Sequence, residues 1–266
     1  MSGKLEGKRI IVTGAGSGIG AASAALFASE GASVAAVDRS AEAAAETASK
    51  IATAGGTSIA ITADVSSLPD MERMAQEAAS ALGSIDGLFA NAGITGVGDA
   101  MSMDLQTWDR VIAINLTGVW LSNKVVLPFM VENGGGSIVN QASIGGLVGI
   151  PGIAPYAAAK AGVIGLTRQI AVEFGNRHVR VNALCPGTVP TPLVTATYAE
   201  RAAQNIPTAT GSMSAEEGLK NAVKRYPIGR LGTPEDIASF AQFLLSDETG
   251  WITGGVFAAD GGYTAL

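Results

Sequence analysis

An α/β fold, with one doubly wound parallel sheet between two layers of helices (α/β/α), is predicted by three features of the sequence. Short β-branched runs alternate with longer helix-like stretches along the chain. The strand-like runs are apolar at nearly every position, as burial on both faces of a parallel sheet requires. The 266 residues contain no linker or repeat that would divide them. We therefore expect a single domain over residues 1–266.

The predicted strands occur at regular intervals. They cover residues 9–13, 33–38, 58–64, 85–93, 137–143, 179–187 and 255–260. A long helix is expected from about Leu105 to Glu132, and another helix near 235–245. The polar, less regular stretch 188–226 is interpreted as an insertion large enough to cover a substrate.

Composition excludes several classes of function. The net charge of −6 and the lack of a basic run argue against nucleic acid or an anionic membrane as partner. Cys185 is the only cysteine and His178 the only histidine, which argues against a disulfide or a zinc site. The apolar segment 147–166 approaches membrane-spanning length but contains two prolines and four glycines. Since the N-terminus also lacks a signal-peptide pattern, we expect a cytoplasmic protein that acts on a small molecule and binds no metal.

The stretch TGAGSGIG (residues 13–20) joins the first predicted strand to its helix. Glycines at such a turn let the backbone approach a pyrophosphate, and the N–H groups of the helix N-terminus favour its negative charge. Because the turn follows the first strand of an alternating pattern, it predicts a dinucleotide site of the Rossmann type rather than an ordinary turn.

The second predicted strand ends in Asp38. A carboxylate at this position would accept hydrogen bonds from a ribose 2′-OH and repel a 2′-phosphate. Arg39 complicates the prediction because arginine can bind phosphate, but the loop residue Ser17 supplies no second positive charge. The charges therefore favour NAD over NADP as the cofactor.

The stretch PYAAAKAGVIG (155–165) places Tyr156 and Lys160 one turn apart on the same face of a predicted helix. Lowering the pKa of a phenol from about 10 to about 7 requires ~4 kcal/mol. A unit charge about 4 Å away supplies ~4 kcal/mol at an effective dielectric of about 20. The spacing therefore predicts that Lys160 lowers the pKa of Tyr156 and that Tyr156 acts as a proton carrier.

Ser143 ends the fifth predicted strand, at the edge where ligands bind in open parallel sheets. Its hydroxyl is expected to hold the substrate oxygen close to Tyr156. The next ten residues, IGGLVGIPGI (144–153), are entirely apolar and indicate a neutral, hydrophobic alcohol or ketone. We expect Ile144, Val148 and Ile153 to line the substrate, with a second wall between Thr188 and Met213.

Further motifs follow in order along the chain. They are Asp64, the triplet Asn91-Ala92-Gly93, Asn115, and Pro186-Gly187 with Thr191. Together with Thr13, Gly14, Gly18 and Gly20 of a TGxxxGxG loop, and with Ser143 and YAAAK, this pattern resembles the classical short-chain dehydrogenase/reductase family over residues 8–262. One departure is Ala90, where many members have asparagine.

The resemblance implies a catalytic tetrad of Asn115, Ser143, Tyr156 and Lys160. In this tetrad Lys160 also contacts the nicotinamide ribose, and Asn115 orders a water that passes protons to the lysine. The resemblance places Asn91 on the adenosine side of the site. It also implies adenine contacts from Asp64 and Val65 and carboxamide contacts from Val189 and Thr191. The complete set of expected cofactor contacts is Gly14, Ser17, Gly18, Ile19, Gly20, Asp38, Arg39, Asp64, Val65, Asn91, Ala92, Gly93, Tyr156, Lys160, Pro186, Gly187, Val189 and Thr191.

Two other functions stay open. Reduction of 3-oxoacyl groups on an acyl carrier protein would need a basic rim, and MVENGGG (130–136) contains no lysine or arginine. A non-catalytic NAD-binding sensor would be expected to have an incomplete tetrad. The resemblance also implies a homotetramer, assembled through the long helix, the tyrosine helix and the C-terminal strand.

Overall fold

The computed structural model describes residues 3–204, 206 and 215–265. Within these residues, seven strands form one parallel sheet in the order β3-β2-β1-β4-β5-β6-β7. The strands are β1 (Arg9–Thr13), β2 (Ser33–Asp38), β3 (Thr57–Thr62), β4 (Gly87–Ala90), β5 (Gly136–Gln141), β6 (Val179–Pro186) and β7 (Val256–Ala259). The predicted single α/β domain with a doubly wound parallel sheet is confirmed.

The helices of the described residues cover the sheet. They are α1 (Gly18–Ser29), α2 (Ala41–Thr53), α3 (Leu68–Leu82), α4 (Leu105–Ile112), α5 (Gly118–Glu132), α6 (Ala154–Phe174), α7 (Pro192–Ala203), α8 (Ala215–Ala222) and α9 (Pro234–Leu245).

Alternate residues of the central strand belong to different halves of the core. Ile11 lies in one apolar cluster, which includes side chains of α3, α5 and α6. Ile10 and Val12 lie in the other, which includes side chains of α1 and α9. Because successive residues of a strand point to opposite faces, the sheet is buried on both sides. This arrangement explains why the strands are apolar at consecutive positions.

Several boundaries differ from the sequence-based expectations. The third, fourth and fifth strands end earlier than predicted, at Thr62, Ala90 and Gln141, so the polar residues that follow lie in loops at the edge of the sheet. The expected continuous helix 105–132 is interrupted by a π-helical turn, Ala113–Thr117. The stretch 188–226, expected to be irregular, contains α7 and α8. Its residues 205 and 207–214 lie outside the described part of the chain.

The helical stretch Leu105–Glu132 is long and apolar enough to cross a membrane by length and composition alone. However, 56% of its most apolar window is buried inside the protein. Core helices of soluble proteins pass the same test, so the stretch is weak evidence for a membrane span.

The N-termini of the helices differ in whether a side chain accepts their first backbone N–H groups. The side chains of Ser40 and Asp104 cap α2 and α4 by accepting backbone N–H bonds from the first turn. Thr233 and Asp236 form a reciprocal capping box at α9. In contrast, Ser17 makes no capping hydrogen bond at the start of α1. The first N–H groups of α1 therefore have no side-chain acceptor from Ser17 where the glycine turn meets the helix.

Candidate active site

The glycine turn between β1 and α1 folds tightly onto itself. Gly14 has φ +66°, and a Cβ at this position would lie 2.8 Å from the Cα of Ala92. A side chain at Gly20 would overlap the carbonyl oxygen of Gly14 and the amide of Asn91. The absence of side chains leaves a backbone-lined cradle at the N-terminus of α1, which suits a pyrophosphate.

Asn91 holds this turn in place from the end of the neighbouring strand β4. Its Nδ2 donates to the carbonyl oxygens of Thr13 at 3.0 Å and Gly14 at 3.2 Å. In return, Thr13 Oγ1 accepts the backbone N–H groups of Asn91 and Ala92 at 3.1 and 3.2 Å. Asn91 was predicted to support the cofactor, and its side chain holds the glycine turn at which that cofactor is expected. Thr13 was not predicted as a site residue, although a threonine at the end of a buried strand was a possible signal.

Asp38 fixes the far end of the turn. Its two carboxylate oxygens accept N–H groups from Gly16 and Ser40, each at 3.0 Å. The exposed Arg39 lies close enough to Asp64 for its charge to lower the pKa of that carboxyl, although the Ser66 hydroxyl lowers the pKa of Asp64 more. The end of β2 therefore presents a carboxylate that is held by two backbone N–H groups, and Arg39 lies near the carboxylate of Asp64.

A groove of about 420 Å³ runs along this edge of the sheet. The predicted residues that line it are Gly14, Ser17, Asp38, Arg39, Asp64, Val65, Ala92 and Gly93. Gly16, Ile94, Ile114 and Leu193 also line the groove and were missed by sequence reasoning. An elongated polar ligand with a phosphate at the glycine turn and a ribose at Asp38 fits these donors and acceptors.

Several of the expected cofactor residues do not line this groove. Ile19 packs against the core, and Val189 is buried in it at 2% exposure. The methyl group of Thr191 is 3.0 Å from the position of a Cβ at Gly18, so these two residues meet at the glycine turn. Pro186 ends β6, and Gly187 lines a separate cleft with Tyr226. The side chain of Val189 is therefore buried in the core, so a carboxamide contact at this residue would use its backbone groups.

Ser143, Tyr156 and Lys160 come together at the carboxyl end of β5. A hydrogen bond joins the side chains of Ser143 and Tyr156. The Nζ of Lys160 lies 5.6 Å from the centre of the Tyr156 ring and donates to the carbonyl oxygen of Gln141 at 2.7 Å. The predicted cluster is therefore formed, and Gln141, which was not predicted, fixes the lysine through its backbone.

Asn115 lies in the π-helical turn and is completely buried. Its Oδ1 accepts the N–H of Ile94 at 2.8 Å, and its Nδ2 donates to the carbonyl oxygen of the same residue at 2.7 Å. A Cβ at Gly93 would lie 3.2 Å from Asn115 Oδ1 and 3.7 Å from Lys160 Nζ. Asn115 and Lys160 thus both lie next to Gly93. π-Helical turns of this kind frequently occur at functional sites.

The protonation behaviour of this cluster differs from the prediction. Burial raises the pKa of Tyr156, and the hydrogen bond with Ser143 opposes this effect only in part. Burial also lowers the pKa of Lys160 to about 8. Burial therefore opposes the charged form of each group. In the protein alone, the net result is a raised pKa for Tyr156, opposite to the lowered pKa that was expected from the nearby lysine.

The predicted apolar wall is formed in part. A Cβ at Gly145 would lie 3.4 Å from Ile153 Cδ1 and 3.6 Å from both Ser143 Oγ and Tyr156 Cδ1. Ile153 therefore lies close to the Ser143 hydroxyl and the Tyr156 ring. Ile144 is buried, whereas Val148 is 38% exposed on the loop.

Comparisons with known proteins agree with this geometry. A family model described as enoyl-(acyl carrier protein) reductase matches residues 14–264. The chain is 42% identical to 2-(S)-hydroxypropyl-CoM dehydrogenase 3 of Xanthobacter autotrophicus over 266 residues, which cover 100% of both chains. The chain belongs to the short-chain dehydrogenase/reductase family.

Other members of the short-chain dehydrogenase/reductase family that are similar to this chain have names that describe different activities. Cyclohexanol dehydrogenase of an Acinetobacter species is 39% identical, covering 100% of this chain and 98% of that protein. The 3-oxoacyl-[acyl-carrier-protein] reductase of Thermotoga maritima is 38% identical, covering 97% and 98%.

Solved structures of the family have the same fold. Levodione reductase superimposes with a TM-score of 0.90 at 36% identity, covering 98% of this chain and 99% of that one. A gluconate 5-dehydrogenase from Beutenbergia cavernae, described as putative and solved with NADP, gives 0.88 at 38% identity, with 98% of each chain covered. The present chain is therefore an oxidoreductase of this family with a nucleotide-binding fold.

Proposed function

We propose that the protein is an NAD(H)-dependent dehydrogenase that interconverts a neutral, hydrophobic secondary alcohol and its ketone. The observation that carries this proposal is the meeting of the Ser143 and Tyr156 hydroxyls beside Lys160 at the carboxyl edge of the sheet. Two relatives whose names describe alcohol dehydrogenases span the whole chain, which supports the same reaction class.

Tyr156 is proposed as the general acid/base. The nicotinamide would supply or accept the hydride at the substrate carbon. Since the pKa of Tyr156 is raised by burial, its hydroxyl is protonated at neutral pH and can donate that proton to the ketone oxygen. Ser143 is within hydrogen-bond reach of Tyr156 and would donate to the same oxygen. In alcohol oxidation, the Tyr156 oxygen would accept the proton instead.

Lys160 would assist this transfer at pH values where it is charged. Below its pKa of about 8 the ammonium is present beside the ring. The Nζ of Lys160 lies 5.6 Å from the centre of the Tyr156 ring, a range over which opposite charges attract appreciably in a site of low effective dielectric. This attraction favours the negative charge that develops on the Tyr156 oxygen as its proton leaves. The buried Asn115 would order the backbone of Ile94 next to the lysine.

The preference for NAD is proposed from Asp38. Its carboxylate lines the groove and would accept a hydrogen bond from a ribose hydroxyl while repelling a 2′-phosphate. The charge of Arg39 also acts on Asp64, which weakens its ability to hold a phosphate by itself. Because one relative was solved with NADP, the preference must be measured. The test compares kcat/KM for NADH with kcat/KM for NADPH on the same ketone.

The main test uses a panel of ketones with NADH, followed by the absorbance of the reduced nicotinamide. Tyr156→Phe removes only the proton-carrying oxygen and should lower kcat by ~10²- to 10⁴-fold. Tyr263→Phe, near the C-terminus, is the matched control and should keep the wild-type rate. A Tyr156→Phe variant with the wild-type rate would contradict the proposal. NADH binding without turnover of any ketone or alcohol would favour the sensor function instead.

Reduction of carrier-bound 3-oxoacyl groups is the second candidate, favoured by the 38% identity to the Thermotoga maritima enzyme. The two activities are separated by comparing kcat/KM for an acyl group on an acidic carrier protein with the same group on a short thioester. We expect no gain from the carrier, because the segment 130–136 provides no basic residue for it.

We further propose that the protein is a cytoplasmic homotetramer. Trp120 on α5 is 44% exposed, Val172 on α6 is 82% exposed, and Trp251 just before β7 is 100% exposed. These residues mark the three surfaces on which assembly is expected, and large exposed apolar groups often lie in interfaces. Light scattering should give a tetramer mass, and Trp251→Ser should lower it.

A further inference from the structure

Helix α7 carries two buried polar side chains that reach loops on the substrate side of the sheet. The hydroxyls of Thr197 and Thr95 lie 2.7 Å apart, which joins α7 to the loop after β4. Arg201 Nη2 donates to the carbonyl oxygen of Pro151 at 2.6 Å, which joins α7 to the apolar loop before α6. Thr197 is 8% exposed and Arg201 is 5% exposed, so both contacts are shielded from water.

The turn held by Arg201 is packed tightly beneath the helix. Gly152 has φ +73°, a conformation in which a side chain would be strained. A Cβ there would lie 2.9 Å from Ile206 Cγ2 and 3.3 Å from Arg201 Nη2. Its carbonyl oxygen accepts the N–H of Gly98 at 3.2 Å, so the two loops also contact each other. The turn therefore has little freedom to shift while these contacts are made.

The next residue along the chain connects this turn to the reactive groups. Ile153 Cδ1, Ser143 Oγ and Tyr156 Cδ1 all lie within 3.4–3.6 Å of the position of a Cβ at Gly145. A shift of the 151–153 turn would therefore move an apolar wall next to the two hydroxyls that are proposed to hold the substrate oxygen. Positional errors of about 1 Å at such a wall have large effects on productive binding.

The other end of α7 lies at the cofactor groove. Thr191 caps the helix by accepting the N–H of Val194 and contacts the glycine turn at Gly18. Leu193 lines the groove itself. Helix α7 thus extends from the proposed cofactor site to the loops of the substrate side.

We propose that Arg201 and Thr197 are positioning residues that determine substrate selectivity. They fix the positions of the 151–153 turn and the 95–98 loop relative to Ser143 and Tyr156. Neither side chain needs to touch the substrate for this role. The inference rests on the proposed function, since selectivity is defined only for the ketone and alcohol that Tyr156 acts on.

The test compares Thr197→Val, Arg201→Met and Arg201→Lys with two controls. Thr53→Val changes an exposed threonine of α2 whose hydroxyl, like that of Thr197, donates to the backbone carbonyl four residues earlier. Arg168→Met changes an exposed arginine of α6. Loss of a charge-assisted hydrogen bond is expected to raise the KM for the ketone by about tenfold in Arg201→Met, with a smaller change in kcat. Thr197→Val should raise KM by about threefold, and Arg201→Lys should restore part of the loss. The controls should stay within twofold of wild type, and the Kd for NADH should not change.

Hydrogen exchange of the backbone gives a readout that does not depend on activity. Peptides covering 95–98 and 147–153 should exchange several-fold faster in Thr197→Val and Arg201→Met than in the controls. Raised KM together with faster exchange supports the inference. Unchanged KM overturns it, because the contacts would then be structural only. Raised KM with unchanged exchange also overturns it, because the side chains would then act on the substrate directly.

Two further outcomes are distinguishable. If Arg201→Met does not fold, Thr197→Val and Arg201→Lys still decide the question by the same two measurements. If the wild-type protein reduces no ketone, the proposed function fails. In that case, exchange rates that remain at the wild-type level in the variants overturn the positioning role separately.

Discussion

The cofactor groove and the substrate wall lie side by side at the same edge of the sheet, yet they are held together in different ways. In the groove, Asn91 and Asp38 bind backbone groups of neighbouring strand ends and of the glycine turn. In the wall, Arg201 and Thr197 bind two loops that lie outside the seven-stranded sheet and are paired with each other through an isolated bridge between Gly98 and Ile153. The groove therefore follows from the strand order, whereas the wall depends on individual side chains. This difference explains why a motif indicates the cofactor while the substrate must be found by experiment.

The largest effect is expected from adding a side chain at Gly20, where the glycine turn of the groove is tightly packed. Gly20→Ala places a methyl group against the carbonyl oxygen of Gly14, so the turn must open. We expect the Kd for NADH, measured by fluorescence titration, to rise by ~100-fold, because the backbone can no longer approach the pyrophosphate. The free energy of unfolding should fall by ~1–3 kcal/mol. Wild-type NADH affinity in this variant would show that the turn is not the cofactor site.

The second largest effect is expected in the pH dependence of the rate, which depends on Lys160 and Tyr156. Since burial lowers the pKa of Lys160 from 10.5 to about 8, its charge is present below pH 8 and lost above it. Tyr156 keeps its proton over this range because its own pKa is raised. The rate of ketone reduction should therefore be constant below about pH 8 and fall up to about tenfold per pH unit above it.

The control for this profile is Lys160→Arg, whose guanidinium stays charged at all these pH values. Any activity that this variant retains should not decline between pH 8 and 10. A wild-type rate that stays level up to pH 10 would contradict the role given to the ammonium.

A smaller effect sharpens the description of the groove. Asp38→Ala removes the carboxylate that favours a ribose hydroxyl, so the ratio of kcat/KM for NADH over NADPH should fall by ~10-fold. Glu42→Ala, which removes an exposed carboxylate at the start of α2, is the matched control. Steady-state kinetics with both cofactors provide the measurement. An unchanged ratio in Asp38→Ala would assign the preference to other residues.

The smallest effect is expected outside both regions. Gly165 is exposed in the middle of α6, and a Cβ there would meet nothing within 4 Å. Gly165→Ala should raise the free energy of unfolding by ~0.5–1 kcal/mol, because alanine loses less backbone entropy in a helix. Denaturant unfolding measures this change, and NADH affinity should stay at the wild-type value. A loss of stability would reveal a contact at this position in the assembled protein.

Much of the candidate site could be predicted because its residues lie in fixed positions relative to strand ends. The glycine turn, Asp38, Asn91 and Ser143 each follow a strand, and parallel strands bring their carboxyl ends to one edge. Residues that act through backbone groups could not be predicted. Gln141 was missed because only its carbonyl oxygen holds Lys160, and any residue type has that oxygen.

The electrostatic prediction failed for a related reason. The spacing of Tyr156 and Lys160 correctly indicated that they are neighbours, but spacing contains no information about how far each is removed from water. Burial raises the pKa of the phenol and lowers that of the lysine. Both shifts oppose the ion pair that was expected from their distance alone.

By itself, the sequence determined the order of the strands along the chain, the glycine turn and the residues of the candidate catalytic cluster, because these follow from local periodicity and from short motifs. Only the tertiary structure decided that a π-helical turn directs Asn115 to Ile94, that Val189 belongs to the core, and that α7 bridges the glycine turn and the apolar loop. These features depend on which distant segments pack together and on how much water each group loses. No local pattern of residues specifies those two quantities.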